Sequence, residues 1–189
     1  NSVAKLMIKK GFLHIGIFFL HLLSFLPMWF LYGISNFLYY LIYHVVKYRK
    51  KVVRKNLVNS FPDKSLAEII KIEKEFYHYF TDLMVEVLKM SSISKAEVNK
   101  RVKVKNFHLV NAYFERGESI LACSGHYCNW ELFMMGAGLN LSGTAHVIYK
   151  PINNKIFEKW FNNLRTKFGN VFVPMRQTLR EVIATKNQA

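Results

Sequence analysis

Apolar residues recur at helical spacing in the middle of the chain, and a helix start signal precedes them. Ser65 stands three residues before Glu68, which is the spacing of a capping box. The apolar positions that follow are mostly three or four residues apart, as one face of a helix requires: Ile69, Ile72, Phe76, Tyr79, Phe80, Leu83 and Val87. The pattern predicts one long helix that ends at about Met90.

Further along, short apolar runs alternate with helical patterns. Three runs are short enough to predict buried strands, at residues 119–124, 145–149 and 171–173. The helical patterns cover residues 106–116, 130–139 and 154–168, and another begins at Gln177. Strands that alternate with helices indicate an α/β fold in which crossover helices connect the strands.

The N-terminal quarter is apolar in a different way. Residues 11–46 contain no Asp, Glu, Lys or Arg. The part from 11 to 34 exceeds the roughly 20 apolar residues that a bilayer span needs, and Pro27 within it predicts a kink or a break. Residues 37–46 are rich in tyrosine, which suits the headgroup interface. We expect residues 1–46 to form a membrane anchor; a signal peptide and a buried helical hairpin are the alternatives.

The net charge of the chain limits the classes of partner that we expect it to bind. Lys and Arg number 27 against 12 for Asp and Glu, a formal net charge of +15, and aromatic residues make up 15% of the chain. This composition excludes a disordered chain, and two cysteines, Cys123 and Cys128, cannot build a disulfide scaffold. Six of the nine residues 47–55 are basic, which favours anionic lipid beside the apolar segment. No nucleic-acid-binding motif accompanies this cluster, so we expect no nucleic-acid partner.

The predicted strand 119–124 leads into the candidate site. Ligands of open α/β sheets bind beyond the carboxyl ends of strands, where His126 falls. Asn129 is placed to begin the next helix, so Glu131 falls in its first turn. If the loop folds the imidazole back, Glu131 can orient His126 as a general base. The alternative is a structural loop histidine beside an ordinary glutamate at a helix start.

The block from Ser124 to Phe133 resembles the Gly-His-x-x-Asn-Trp-Glu motif of the bacterial lipid A late acyltransferase family. That family is related to the glycerolipid acyltransferases, which carry a His-x4-Asp motif. Other segments are similar to family segments in the same order: Leu26-Pro27, Asn56-Leu57 with Phe61-Pro62, Val147 to Pro151, and Arg165 with Gly169. The resemblance therefore covers nearly the whole chain.

The resemblance implies a reaction and roles for residues. A fatty acyl group passes from a thioester, on acyl carrier protein or coenzyme A, to a hydroxyl of a lipid A precursor or related glycolipid. His126 is then the base that deprotonates the hydroxyl, and Glu131 orients it. Arg165, Lys150 and Asn129 are the expected substrate contacts. We expect no metal and no cofactor beyond the acyl donor, which is a co-substrate.

The resemblance also sets expectations for the whole chain. It implies a glycerolipid-acyltransferase-like mixed sheet flanked by helices, with the acyltransferase domain at residues 47–189 facing the cytoplasm from the inner membrane. Family members are usually longer, so we expect the C-terminal part of that domain to be missing. The alternatives are an acyltransferase for another membrane lipid, and a non-catalytic basic protein that binds membrane surfaces or nucleic acid.

Overall fold

The computed structural model describes residues 2–186, with side chains from residue 10 onward, and most of this part is helical. Its elements in chain order are α1 (Ser2–Ser24), α2 (Met28–Tyr40), a π-helical segment (Leu41–Val46), α3 (Lys50–Ser60), α4 (Leu66–Lys89), α5 (Lys95–Arg101), α6 (Phe107–Glu115), α7 (Trp130–Asn140), β1 (His146–Tyr149), α8 (Lys155–Arg165), β2 (Val171–Pro174), a 3₁₀ turn (Met175–Gln177) and α9 (Thr178–Thr185).

Several helices begin and end close to where local signals predicted them, whereas the helix predicted over 154–168 already ends at Arg165. At the start of α4 the Ser65 backbone amide donates to Glu68 Oε2 over 2.9 Å, and the Glu68 amide donates to the Ser65 hydroxyl over 3.4 Å. The predicted capping box is therefore confirmed. Gly117 follows α6 with φ +73°, the left-handed conformation that glycine adopts without strain.

Residues 25–89 form one compact unit, in which α2 and α3 pack against α4. Its core consists of fully or nearly fully buried side chains: Leu31, Tyr43, Ile69, Tyr77 and Val85. A buried carboxylate, Glu73 on α4, also lies there. It accepts hydrogen bonds from Arg54 Nε over 2.5 Å, from Arg54 Nη2 over 2.8 Å and from the Tyr43 hydroxyl over 3.0 Å. This buried ion pair joins α3 and the π-helical segment to α4.

Residues 2–24 and 90–186 form the other compact unit, which includes α7. Met135 on α7 is fully buried, and α7 packs against both α5 and α8. A Cβ built on Gly138 would lie 2.5 Å from the Phe168 carbonyl oxygen, so glycine is required for this close approach. The predicted boundary after residue 46, between a membrane anchor and an acyltransferase domain, stays a prediction.

In the described residues two strands pair. β1 and β2 run parallel, with His146 opposite Val171 and Tyr149 opposite Pro174. α8 provides the crossover between them, as parallel strands require. The α/β class is broadly confirmed, as a mostly helical chain with a small sheet, and the strands predicted at 145–149 and 171–173 are both present.

The strand predicted at residues 119–124 is wrong. This segment has no regular secondary structure, and Leu121 is 89% exposed. A strand needs a neighbouring strand for its backbone amides and carbonyls, and within residues 2–186 the paired strands are β1 and β2 alone. An apolar run predicts burial, but it does not supply that neighbour.

The predicted membrane-spanning helix is also wrong for the part of the chain that the structure describes. Helix α1 ends at Ser24 and α2 begins at Met28, so the apolar stretch is interrupted next to Pro27. The break that Pro27 predicted is thus confirmed. Across residues 2–186, no helix combines the length and the apolar character that crossing a bilayer demands.

Candidate functional site

His126 lies in an exposed loop that leads into α7. Its imidazole contacts the Trp130 ring edge to face, with 4.8 Å between ring centroids and an interplanar angle of 62°. Cys128 in the same loop has φ +52°, and the Tyr127 amide donates to the Gly125 carbonyl over 2.9 Å. These local turns hold the loop close to the start of α7. Its histidine ring is accessible from solvent.

Asn129 is the N-cap of α7. Its side-chain oxygen accepts a hydrogen bond from the Leu132 backbone amide over 2.9 Å, as an N-cap residue does. The cap begins the helix at Trp130 and places Glu131 in the first turn, as predicted. A carboxylate at this position is stabilised by the positive end of the helix dipole.

Glu131 forms a buried ion pair with Arg165. The Arg165 Nε donates to Glu131 Oε2 over 2.8 Å, and Nη2 donates to Oε1. The two side chains are 7% and 13% exposed, so this is a two-pronged pair largely shielded from water. Because α8 ends at Arg165, the pair connects the end of α8 to the beginning of α7.

Aromatic rings surround the Arg165 guanidinium. Its central carbon lies 4.1 Å from the ring centroid of Phe161, 5.1 Å from that of Phe172 and 5.8 Å from that of Tyr149. A cation within about 6 Å of a ring centroid is attracted by the ring quadrupole. The rings on the sheet and on α8 therefore fix the guanidinium, and the guanidinium fixes the Glu131 carboxylate.

A second polar network extends from β1. The Tyr149 hydroxyl donates to Glu158 Oε1 over 3.2 Å and accepts from the Asn162 amide over 2.9 Å. Lys155 donates to the other oxygen of Glu158 over 3.0 Å. The network fixes the Tyr149 hydroxyl, and the Tyr149 ring lies within 5.8 Å of the Arg165 guanidinium. Sequence reasoning missed it, because its members are spread over β1 and α8 and the family-like segment Val147 to Pro151 includes only Tyr149.

The structure brings some of the predicted site residues together. Glu131 and Arg165 are paired, and Asn129 caps the helix that carries Glu131. His126 is close in sequence but turns towards Trp130, and among the described side chains no hydrogen bond joins His126 to Glu131. Lys150 directly follows β1 and is exposed. Among residues 2–186, no group of three or more His, Cys, Asp or Glu side chains is arranged to hold a metal ion.

The comparisons with known proteins decide the family. A model of the family described as bacterial lipid A biosynthesis acyltransferase matches residues 2–188. The chain belongs to this family. No match was found among curated proteins or among solved structures. The resemblance that the Gly-His-x-x-Asn-Trp-Glu block predicted is thereby confirmed.

Membership in the lipid A biosynthesis acyltransferase family assigns a reaction class. The family consists of acyltransferases, so the chain is assigned to enzymes and to acyl transfer in lipid A synthesis. Such a reaction uses an acyl donor and a lipid A precursor. Its chemistry calls for a group that removes a proton from the acceptor hydroxyl and for groups that stabilise charge on the carbonyl oxygen.

For a lipid A acyltransferase, the pairing of Glu131 with Arg165 is the unexpected feature of the site. Sequence reasoning placed both residues at the site but expected Arg165 to contact substrate. The two residues are 34 positions apart, and the pairing depends on how α7 and α8 pack. The sequence signal was weak: a carboxylate at a helix start and an arginine in a last turn, which complement the two helix dipoles separately.

Proposed function

We propose that the chain transfers a fatty acyl group from a thioester to a hydroxyl of a lipid A precursor, with His126 as the general base. The observation that carries the proposal is an accessible imidazole in the loop before α7, five residues ahead of a buried, charge-fixed Glu131. Family membership supplies the reaction class. The roles of the individual residues, the donor and the membrane belong to the proposal.

The proposed reaction is a direct displacement. His126 takes the proton of the acceptor hydroxyl as its oxygen attacks the thioester carbonyl carbon. The tetrahedral oxyanion then collapses, the carbon–sulfur bond breaks, and the thiolate leaves with the proton from the imidazolium. The new ester and a free thiol are the products, and no acyl-enzyme forms. General base catalysis of this kind is typically worth 10²–10⁴-fold in rate.

Glu131 is proposed to act as a positioning residue. Its negative charge at the start of α7 stabilises an imidazolium when the His126 ring turns from Trp130 towards it. Arg165 fixes the direction of the carboxylate through its two hydrogen bonds. Because the Arg165 guanidinium is 13% exposed and already bound, we propose that it acts through Glu131 more than through substrate phosphate.

Lys150 and Asn129 remain proposed substrate contacts. Lys150 is exposed directly after β1, where an anionic group of the precursor can reach its ammonium. Asn129 borders the His126 loop, although its side-chain oxygen is committed to capping α7. The high positive charge of the chain supports both an acidic carrier protein and an anionic phosphoglycolipid as substrates.

We further propose that the enzyme acts at the cytoplasmic face of the inner membrane. The support comes from residues 25–89, where large aromatic side chains are exposed near the basic cluster of residues 47–55. Phe37 is 66% exposed and Tyr40 is 60% exposed. Exposed rings next to lysines and arginines favour the headgroup region of an anionic bilayer.

Mass spectrometry of lipids from cells that carry the gene tests the proposal. The expected result is a lipid A species that is heavier by one acyl chain and that disappears with His126→Ala. His108→Ala is the matched control, because His108 is another exposed histidine, on α6, and its loss should leave the product unchanged. If the His126 variant still made the product, His126 would not be the general base. If the acylated lipid belonged to another class, the acceptor would not be a lipid A precursor.

A further inference from the structure

A cleft lies between α1 and α8. Its volume is about 410 Å³, in the lower part of the roughly 300–1,000 Å³ range of small-molecule sites. His126 and Glu131 are not among its lining residues. The cleft is therefore a separate feature from the candidate catalytic site, and the proposed reaction gives it no role.

The walls of the cleft are largely apolar. Ile17 and Phe18 line it from α1, and Trp160 and Leu164 line it from α8. Phe18 is 58% exposed, so part of this apolar surface faces solvent. Such walls suit hydrocarbon, because removing apolar surface from water is favourable.

One part of the cleft is polar and positively charged. Lys167 Nζ donates to the Ile93 carbonyl over 2.7 Å and to the Ser91 carbonyl over 3.3 Å. His21 Nδ1 lies 2.6 Å from the Ser91 hydroxyl oxygen. An ammonium has three donors, so Lys167 keeps one for a ligand after these two bonds. The nine described lining residues include no Asp or Glu.

Lys167 is exposed overall, and only part of its side chain is covered where Nζ bonds to the Ile93 carbonyl. Burial lowers the pKa of the Lys167 ammonium below its usual value, which means that the charged form is disfavoured in the free protein. An anion beside the ammonium would replace part of the lost hydration. Apolar walls beside an ammonium that has one remaining donor together match a ligand with an apolar body and a negative head.

We propose that this cleft binds a single-chain carboxylate, a fatty acid, with its chain against Phe18 and Trp160 and its head group at Lys167. The volume favours one chain over two. The proposal goes beyond acyl transfer, because the ligand is a free fatty acid and its site shares no residue with the proposed dyad. Binding should therefore persist in the His126→Ala variant, which keeps the two proposals separately testable.

Quenching of Trp160 by bromine-labelled dodecanoate, below its micelle concentration, tests where the chain lies. We expect quenching that saturates at one equivalent per chain and is lost in Trp160→Phe. Trp29→Phe is the matched control, because Trp29 is 74% exposed and lies outside the cleft, so quenching should survive there. Quenching that never saturates, or that disappears with Trp29 and not with Trp160, would show unspecific partition and overturn the proposal.

The charge of the head group is tested with Lys167→Met. We expect dodecanoate to bind roughly ten- to hundredfold more weakly, since a hydrogen bond to a charged group is lost. Lys159→Met, which changes an exposed lysine on α8 outside the cleft, should change nothing. Dodecyltrimethylammonium should bind the unaltered chain far more weakly than dodecanoate. Equal affinity for both amphiphiles would contradict the proposal, even if Lys167→Met failed to fold.

Discussion

A single ion pair organises the candidate site at the scale of residues. Glu131 and Arg165 are both shielded from water, and each satisfies the other's charge. Burying either alone would be costly, because an unpaired charge in a protein interior loses its hydration without compensation. The pair thus fixes the carboxylate that the proposed mechanism needs, and it makes the start of α7 sensitive to either substitution.

A double-mutant cycle measures this coupling. Glu131→Gln and Arg165→Met should each destabilise the chain by about 3–5 kcal/mol, because each leaves a buried charge without its partner. The double variant should lose less than the sum of the two. Urea denaturation gives the free energies of unfolding.

The exposed pair of Glu97 and Arg101 on α5 serves as the control for that cycle. Its side chains are 31% and 27% exposed, so Glu97→Gln should cost about 0.5 kcal/mol or less. Additive losses at Glu131 and Arg165 would show that the two side chains do not interact in solution.

At the scale of elements, the caps set where α7 and α8 begin. Asn129 and Asn154 play the same part at α7 and α8, since each side-chain oxygen accepts backbone amide hydrogen bonds of the first turn. They differ in their surroundings, because only the cap of α7 borders the His126 loop and Glu131. The two caps therefore form a natural pair for separating stability from activity.

Asn129→Ala and Asn154→Ala should each lower the free energy of unfolding by about 1 kcal/mol through the lost cap. Asn129→Asp should restore most of the stability, since aspartate caps equally well. If Asn129 also contacts substrate, acyl transfer by Asn129→Asp falls while its stability does not. Transfer assays beside thermal unfolding separate the two roles, and normal activity in Asn129→Asp would limit Asn129 to capping.

Elements differ in how far the sequence predicts them. Helix α4 and the caps of α7 and α8 follow from signals within a few residues, so the sequence located them well. The run 119–124 failed as a strand because strand formation depends on a partner elsewhere in the chain. The contact between Glu131 and Arg165 could not be predicted for the same reason, because it depends on how two helices far apart in sequence pack. The motif identified which residues belong to the site, but only packing shows which of them touch.

At the scale of the whole molecule, the chain divides into two compact units, and each contains a buried carboxylate that pairs with an arginine of another helix. Residues 25–89 contain Glu73, and the other unit contains Glu131. The three tryptophans divide in the same way, with Trp29 in the first of these units and Trp130 and Trp160 in the other. Fluorescence from variants with a single tryptophan can therefore report on each unit by itself.

Acid should weaken the unit of residues 25–89 through Glu73. Burial by itself would raise the pKa of Glu73, but hydrogen bonds from Arg54 and Tyr43 and the charge of Lys50 outweigh it and hold the pKa below its usual value of 4.5. A carboxyl whose pKa is lowered by folding stabilises the folded state above the unfolded pKa. That contribution is lost as pH falls from about 4.5 through the lower folded pKa.

Glu73→Gln removes this dependence. The variant should be less stable at neutral pH by about 3 kcal/mol, near the lower limit for buried pairs because the Arg54 side chain is 30% exposed. Below pH 4.5 its stability should fall less steeply than that of the unaltered chain, since one titrating group is gone. Glu75→Gln, at an exposed position on the same helix, is the matched control. Equal acid sensitivity of the Glu73 variant and the unaltered chain, followed by Trp29 fluorescence, would assign the acid transition to other carboxyl groups.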